Sequence, residues 1–233
     1  MQPLAQLEAT LAECFGSTQL RRLDPDDPRF VSHGEVEHPR GLNARTELPE
    51  RGGLLCARIF GTVRSLSCLC TKVQGPQCLG ITCEKCGVMV AETSIRRERF
   101  GHWPLPPDTE HPWDASRPLT RLLLLPAGYR EQDPSTADRQ DLGGLNGLYQ
   151  RVLRHGEIVS RCHRFDAPSS LMDHETAKLR HGMARLFGRP RARPGRGPTL
   201  ADHIDRVMLE TEPNRAPSPV LLALLASVDL TLG

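Results

Sequence analysis

Apolar positions in the first fifteen residues recur at helical spacing. Leu4, Leu7, Leu11, Cys14 and Phe15 fall on one face behind Pro3, which predicts a short amphipathic helix. A longer pattern runs from 145 to 187. Leu145, Leu148, Val152, Val159 and Cys162 alternate by threes and fours, and after the turn Asp166-Ala167-Pro168-Ser169-Ser170 the pattern returns as Met172, Leu179, Met183 and Leu186. Two apolar stripes flanking a short turn predict an antiparallel helical hairpin, a coiled coil, with Ser169 or Ser170 capping the second helix. Gly156 and Gly182 each cost their helix about 1 kcal/mol relative to alanine. His155 falls in the apolar seam, where a core role is expected. A last helix is predicted to open at Thr199 behind Pro198, with Leu200, Ile204, Val207 and Met208 on one face.

Strand signals are weaker. Residues 35–60 read as irregular loop with a short strand at 54–60, where Arg58 is expected as a structural ion-pair partner, and 88–95 read as a second strand. The run Leu-Asp-Pro-Asp-Asp-Pro at 23–28 is a turn; its paired prolines favour a solvated loop over a magnesium site. Five prolines between 101 and 118 mark a linker. Arg189, Arg191, Arg193 and Arg196, interleaved with Pro and Gly, read as a flexible basic tether.

Composition narrows the picture. With 20 Gly, 20 Pro and only 4% aromatic residues in 233, the chain is expected to be built of small modules, mainly α with small β. A net charge of +2 gives no overwhelming affinity for polyanions. The longest apolar run, 220–226, is too short to span a bilayer, and no basic segment followed by an apolar stretch opens the chain, so a cytoplasmic protein without a membrane partner is expected.

Four of the eight cysteines stand in two close pairs, Cys68-Leu69-Cys70 and Cys83-Glu84-Lys85-Cys86, with twelve residues between them. Each pair can present two sulfurs from one turn, and Gly87 and Gly80 supply the loose backbone that such turns favour. The spacing predicts one structural zinc on Cys68, Cys70, Cys83 and Cys86. Disulfides are the competing reading and are rare in reducing compartments. Cys78 lies between the pairs as a spare thiol. Beyond them Arg96, Arg97 and Arg99 form a basic cluster; it can touch nucleic-acid phosphates, or equally neutralise Glu92 and Glu98.

The flanks of these cysteines carry a resemblance. Gly34-Glu35-Val36, Asn43-Ala44-Arg45-Thr46, Pro49-Glu50-Arg51, the run Gly53-Leu54-Leu55-Cys56-Ala57-Arg58-Ile59-Phe60-Gly61, and Arg96-Arg97-Glu98-Arg99-Phe100-Gly101-His102 make the chain resemble the N-terminal clamp of the bacterial DNA-directed RNA polymerase β′ subunit from about Phe15 to Trp113. Similarity resumes at Leu124-Leu125-Pro126 and Tyr129-Arg130, and the hairpin resembles the β′ clamp coiled coil through Leu145-Asn146, Leu148-Tyr149, Arg151-Val152, Ala167-Pro168 and Glu175. The resemblance implies a division into a clamp segment at 1–114 with a zinc ribbon at about 54–102, a linker and lid-like loop at 115–143, a clamp-like hairpin at 144–188, and a tether with a C-terminal helix at 189–233. It also implies docking of a sigma factor or core polymerase on the hairpin, with Arg151, Glu175 and Arg180 as the contact patch, and at most weak contact with DNA.

Departures are equally legible. The ribbon loop offers only Lys72, Gln132 to Leu142 lack the lid's glycine-glycine-arginine character, and Asp173 stands where the family usually has arginine. The Asp-Phe-Asp-Gly-Asp magnesium motif is absent from the sequence, so no catalytic residue is expected. Two readings follow from the resemblance: a clamp-like protein that engages sigma or core polymerase, or a split or truncated β′ fragment contributing to RNA synthesis only within an assembly.

Overall fold

The computed structural model describes residues 3–15, 20–24, 27–130, 144–188, 199–209 and 217–232. The lid-like loop and the arginine tether expected from the sequence lie outside these residues. Helix α1 (Pro3–Phe15) buries Leu7 and Leu11, as its periodicity predicts. After β1 (Leu20–Arg22), a three-residue helical turn at Pro28–Phe30 is capped by Asp27, whose carboxylate accepts from the Arg29 N–H. Strand β2 (Ser32–Glu35) then runs parallel to β3 (Phe100–Pro104).

The segment 54–60 is not a strand. Leu54, Leu55, Cys56 and Ala57 are all buried without alternation, and the chain winds into a single turn, α2 (Ala57–Phe60). Arg58 on this turn is exposed and makes no ion pair among the described residues, contrary to the structural role expected of it. In 88–95 the alternation is real, with Val88 and Val90 fully buried, but it yields only an isolated bridge between Met89 and Thr82. A short helical turn at Thr93–Arg97 follows.

The proline-rich stretch is ordered β-structure rather than a linker. Strand β3 is the centre of a three-stranded sheet between β2 and β6 (Arg121–Leu124), and β4 (Glu110–His111) pairs with β5 (Asp114–Pro118). Trp103, Leu105 and Trp113 of this region are buried, so it joins the core, and the boundary expected at 114/115 falls within the β4–β5 pair. The prolines sit at strand ends and connections, where a missing N–H costs no ladder bond.

After the one-turn α3 (Ala127–Arg130) come α4 (Gly144–Arg164) and α5 (Ser169–Phe187). His155 bonds Glu175, while a Cβ on Gly182 would touch Val152; this register runs in opposite directions along the two helices, so the hairpin is antiparallel. Ser169 is the first helical residue and Pro168 holds the cap position, so no serine side chain closes this end. Helix α6 (Leu200–Leu209) does begin as predicted: Thr199 Oγ1 accepts from the Asp202 N–H at 3.1 Å and the Asp202 carboxylate accepts from the Thr199 N–H at 3.3 Å, a reciprocal cap.

The apolar run at 220–226 forms one further helix, α7 (Pro219–Ser227), capped by Ser218. Leu221, Leu224 and Leu225 are each at most 1% exposed, contributing about 1.5–3 kcal/mol apiece. Strand β7 (Leu230–Leu232) then returns to pair antiparallel with β1. One hydrophobic core extends from Leu7 to Leu230 through sheet, hairpin and both last helices, in place of separate small cores. A second, small cluster of Ala57, Cys68, Cys83, Val88 and Val90 surrounds the cysteine pairs.

Candidate metal centre and partner surfaces

The two cysteine pairs occupy matching turns. Cys83 N–H bonds Val88 O at 3.1 Å and Gly87 N–H returns to Cys83 O at 2.7 Å, with Gly87 at φ +70°. In the other turn Cys68 N–H bonds Val73 O at 2.9 Å and Thr71 N–H returns to Cys68 O at 3.1 Å. Thr71 there takes the left-handed conformation (φ +61°) that glycine takes in its counterpart. Nothing in the sequence flags a threonine for that role. Isolated bridges Ser67–Gln74 and Thr82–Met89 close the base of each turn, and Gly80 (φ +82°) donates to Val90 O as the intervening loop turns back.

These turns bring Cys68, Cys70, Cys83 and Cys86 together, all four sulfurs within 4.8 Å of one another. Cys68 and Cys70 sulfurs are 3.6 Å apart and those of Cys70 and Cys83 are 3.7 Å apart. A tetrahedral ion with metal–sulfur bonds of about 2.3 Å separates its ligands by about 3.8 Å, so the donor set fits one tetrahedral thiophilic ion. All four are free thiols, and Cys68 and Cys83 are buried. The Val73 N–H points at Cys68 Sγ from 3.3 Å, an arrangement suited to a thiolate. Cys78 packs against the same small cluster but is not one of the four.

The four thiols differ in how readily they ionise. Burial opposes ionisation of Cys86, but the N–H groups of Cys70 and Val88 and the neighbouring thiols outweigh it and hold Cys86 down at about 6. For Cys70 the Lys72 N–H favours the thiolate, yet burial and the three neighbouring sulfurs push it up to about 11. Four negative sulfurs in this space need a positive ion among them.

The predicted basic cluster separates. Arg96 is 4% exposed, and its guanidinium donates to Gly61 O at 2.6 Å and to Leu55 O at 3.4 Å, tying the Thr93–Arg97 turn to both flanks of α2. It is therefore a buried structural arginine rather than a phosphate contact. Arg97 is exposed, and half-buried Arg99 points a guanidinium nitrogen at Met89 Sδ.

The hairpin patch separates as well. Arg151 and Arg180 are exposed, Arg180 lying 3.6 Å from Glu110 of β4. Glu175 is 6% exposed and is held by Lys178 at 2.8 Å and His155 at 3.1 Å; the Lys178 bond leads the effects that lower its pKa. Glu175 thus joins the two helices instead of facing a partner. Half-buried His155 is its polar counterpart across the seam, not an apolar core residue.

No protein-family model matches the chain. The DNA-directed RNA polymerase subunit beta' of Aeromonas hydrophila subsp. hydrophila is 46% identical over 116 residues, 50% of this chain and 8% of that protein. The same subunit of Aquifex pyrophilus is 48% identical over 99 residues, 42% of this chain and 6% of the relative. The chain is similar to RNA polymerase subunit beta' over about half its length. It spans less than a tenth of these curated relatives. Among the described residues no helix is long and apolar enough to cross a membrane.

Proposed function

We propose that this chain is a β′-clamp-like transcription protein that engages a sigma factor or the RNA polymerase core through its helical hairpin and holds one structural zinc ion on Cys68, Cys70, Cys83 and Cys86. The observation that carries the reading is the 46–48% identity to β′ over half of the chain. Zinc is the ion best suited to four thiolates in tetrahedral array. Its bonds would join the two turns, supplying on the order of 10–16 kcal/mol to a segment with a very small apolar cluster of its own. All four ligand positions come from the protein, so no site is left for water or substrate. The sequence lacks the carboxylate motif for two-metal nucleotidyl transfer, and no RNA synthesis is expected of the chain alone.

Exposed Arg151, Arg154, Arg161 and Arg180 give the hairpin a basic surface suited to an acidic partner. Each exposed pair is worth roughly 0.2–1 kcal/mol, so charge mainly steers docking. Exposed Asp173 favours a weakened or redirected choice of sigma factor. Arg97 and Arg99 support no more than weak contact with DNA. The second reading, a β′ fragment working only within an assembly, is favoured by the small share of the relatives that the chain spans.

Affinity-tagged full chain purified from native lysate tests both. Sigma co-purifying with the parent but not with an Arg151→Glu/Arg180→Glu variant of unchanged helicity and metal content supports hairpin docking. Stoichiometric recovery of the other polymerase subunits, indifferent to that variant, supports the fragment reading. Recovery of neither sigma nor any polymerase subunit overturns both.

A further inference from the structure

A cleft of about 310 Å³ opens where β2 and the turn at Gly52 face α2 and the Gly87 turn of the cysteine quartet. Its buried lining is apolar, formed by Ile59 and Cys56, whose thiol is occupied in accepting the Gly52 N–H at 3.2 Å. Glu35 and Glu37 line it from the β2 side and Arg58 from the α2 side, all three exposed. Among the described residues none of these three side chains makes a hydrogen bond or ion pair, although charges of both signs share one cleft.

The charged heads are laid against bare backbone. Gly52 (φ +74°) and Gly87 (φ +70°) adopt a conformation that side-chain-bearing residues rarely take, and a Cβ on either would lie 2.6 Å from Glu37 Oε2 or 2.7 Å from Arg58 Nε. Glycine at both places lets an anionic wall and a cationic wall stand across an apolar floor. Two carboxylates at the mouth disfavour nucleic acid. The volume lies at the lower end of the roughly 300–1,000 Å³ typical of ligand clefts, which suits a few side chains and not a folded surface.

We propose that this cleft is a docking site for a short segment of a partner protein that presents an aliphatic side chain between a basic and an acidic one. The basic group lies at Glu35 and Glu37, the aliphatic group rests on Ile59, and the carboxylate takes the Arg58 guanidinium in the fork geometry that arginine favours. This site is separate from the hairpin, so its failure leaves the sigma-docking reading standing, and the converse holds.

The test is a titration of the ¹⁵N-labelled full chain with acetyl-Lys-Leu-Asp-amide, alongside acetyl-Gly-Leu-Gly-amide and acetate. Saturable shifts are expected at the amides of Gly52, Ile59 and Gly87 with the charged peptide alone. Glu35→Gln/Glu37→Gln and Arg58→Gln should each weaken binding roughly ten-fold, with metal content and melting temperature unchanged. No shift at the peptide's solubility limit, equal shifts with either control, or variants that bind like the parent would overturn the proposal.

Discussion

His111 shows how much one buried side chain can fix. Its Nε2–H donates to Val228 O at 2.8 Å, while Nδ1 accepts from the Trp113 and Asp114 N–H groups at 3.1 Å, so the ring is neutral with its proton on Nε2. It sits edge-on to Phe187, linking β4, α5 and the turn after α7. Burial is the main cause holding its pKa below 6.5, so the unfolded chain binds the extra proton first as pH falls. The stability it contributes is whole above pH 6.5 and is lost as pH falls through the lower folded value. His111→Asn keeps an acceptor near the two amides and removes the titration. In urea unfolding at pH 7.5 and 5.5 the variant should lose less stability between the two than the parent; equal losses would show that His111 is not a source of the dependence. Neither this role nor that of Arg130 was legible in the sequence. Arg130, 2% exposed, donates to Leu54 O at 2.9 Å and to Asn146 Oδ1 at 2.6 Å, with its guanidinium over the rings of Phe60 and Tyr149. Apart from Leu125 O, five residues back, its partners come from distant parts of the chain, and local pattern carries no trace of them. The four thiols were legible because ligand spacing in sequence is itself a statement about geometry.

Among the elements, the hairpin was read nearly whole, since two long stripes at helical period leave little choice of partner. The two glycines within it are not equivalent. A Cβ on Gly182 would meet Val152 Cγ2 at 3.5 Å, an ordinary contact, whereas on Gly156 it would come 3.3 Å from Trp103 Nε1 of β3. Gly182→Ala should therefore recover most of the helix-propensity gain, about 0.5–1 kcal/mol, while Gly156→Ala gains less or loses stability by crowding the tryptophan. Denaturant midpoints measured side by side decide it; a larger gain at Gly156 would refute this account of the packing. The short strands around Trp103 and Trp113 were misread as a linker, because proline density signals a break without revealing that aromatic residues between the breaks are buried. The single turn at α2 was misread for a related reason: unbroken burial from Leu54 to Ala57 has neither period.

For the whole molecule, the division into one large core and one small thiol-centred cluster predicts how it comes apart. A Cys83→Ser/Cys86→Ser variant should drop from about one bound zinc per chain to nearly none. Amide exchange should then accelerate across 62–90, whose apolar support is slight, while α4 and α5 keep their protection because they belong to the larger core. Full retention of metal, or equal loosening of both helices, would contradict that division. The larger core is closed by β1 and β7, where Arg22 faces Leu230 across the sheet and pairs with Asp229 at 2.9 Å. These strands are roughly 210 residues apart in sequence, a loop whose closure costs on the order of 5 kcal/mol in chain entropy. At the ribosome's pace of about 5–20 residues per second, β1 leaves the exit tunnel about 10–40 s before its mate has been made. Through that interval it presents an open edge to every other nascent chain on the same message, and two adjacent arginines, Arg21 and Arg22, are the charged residues that discourage such an edge from accepting a stranger.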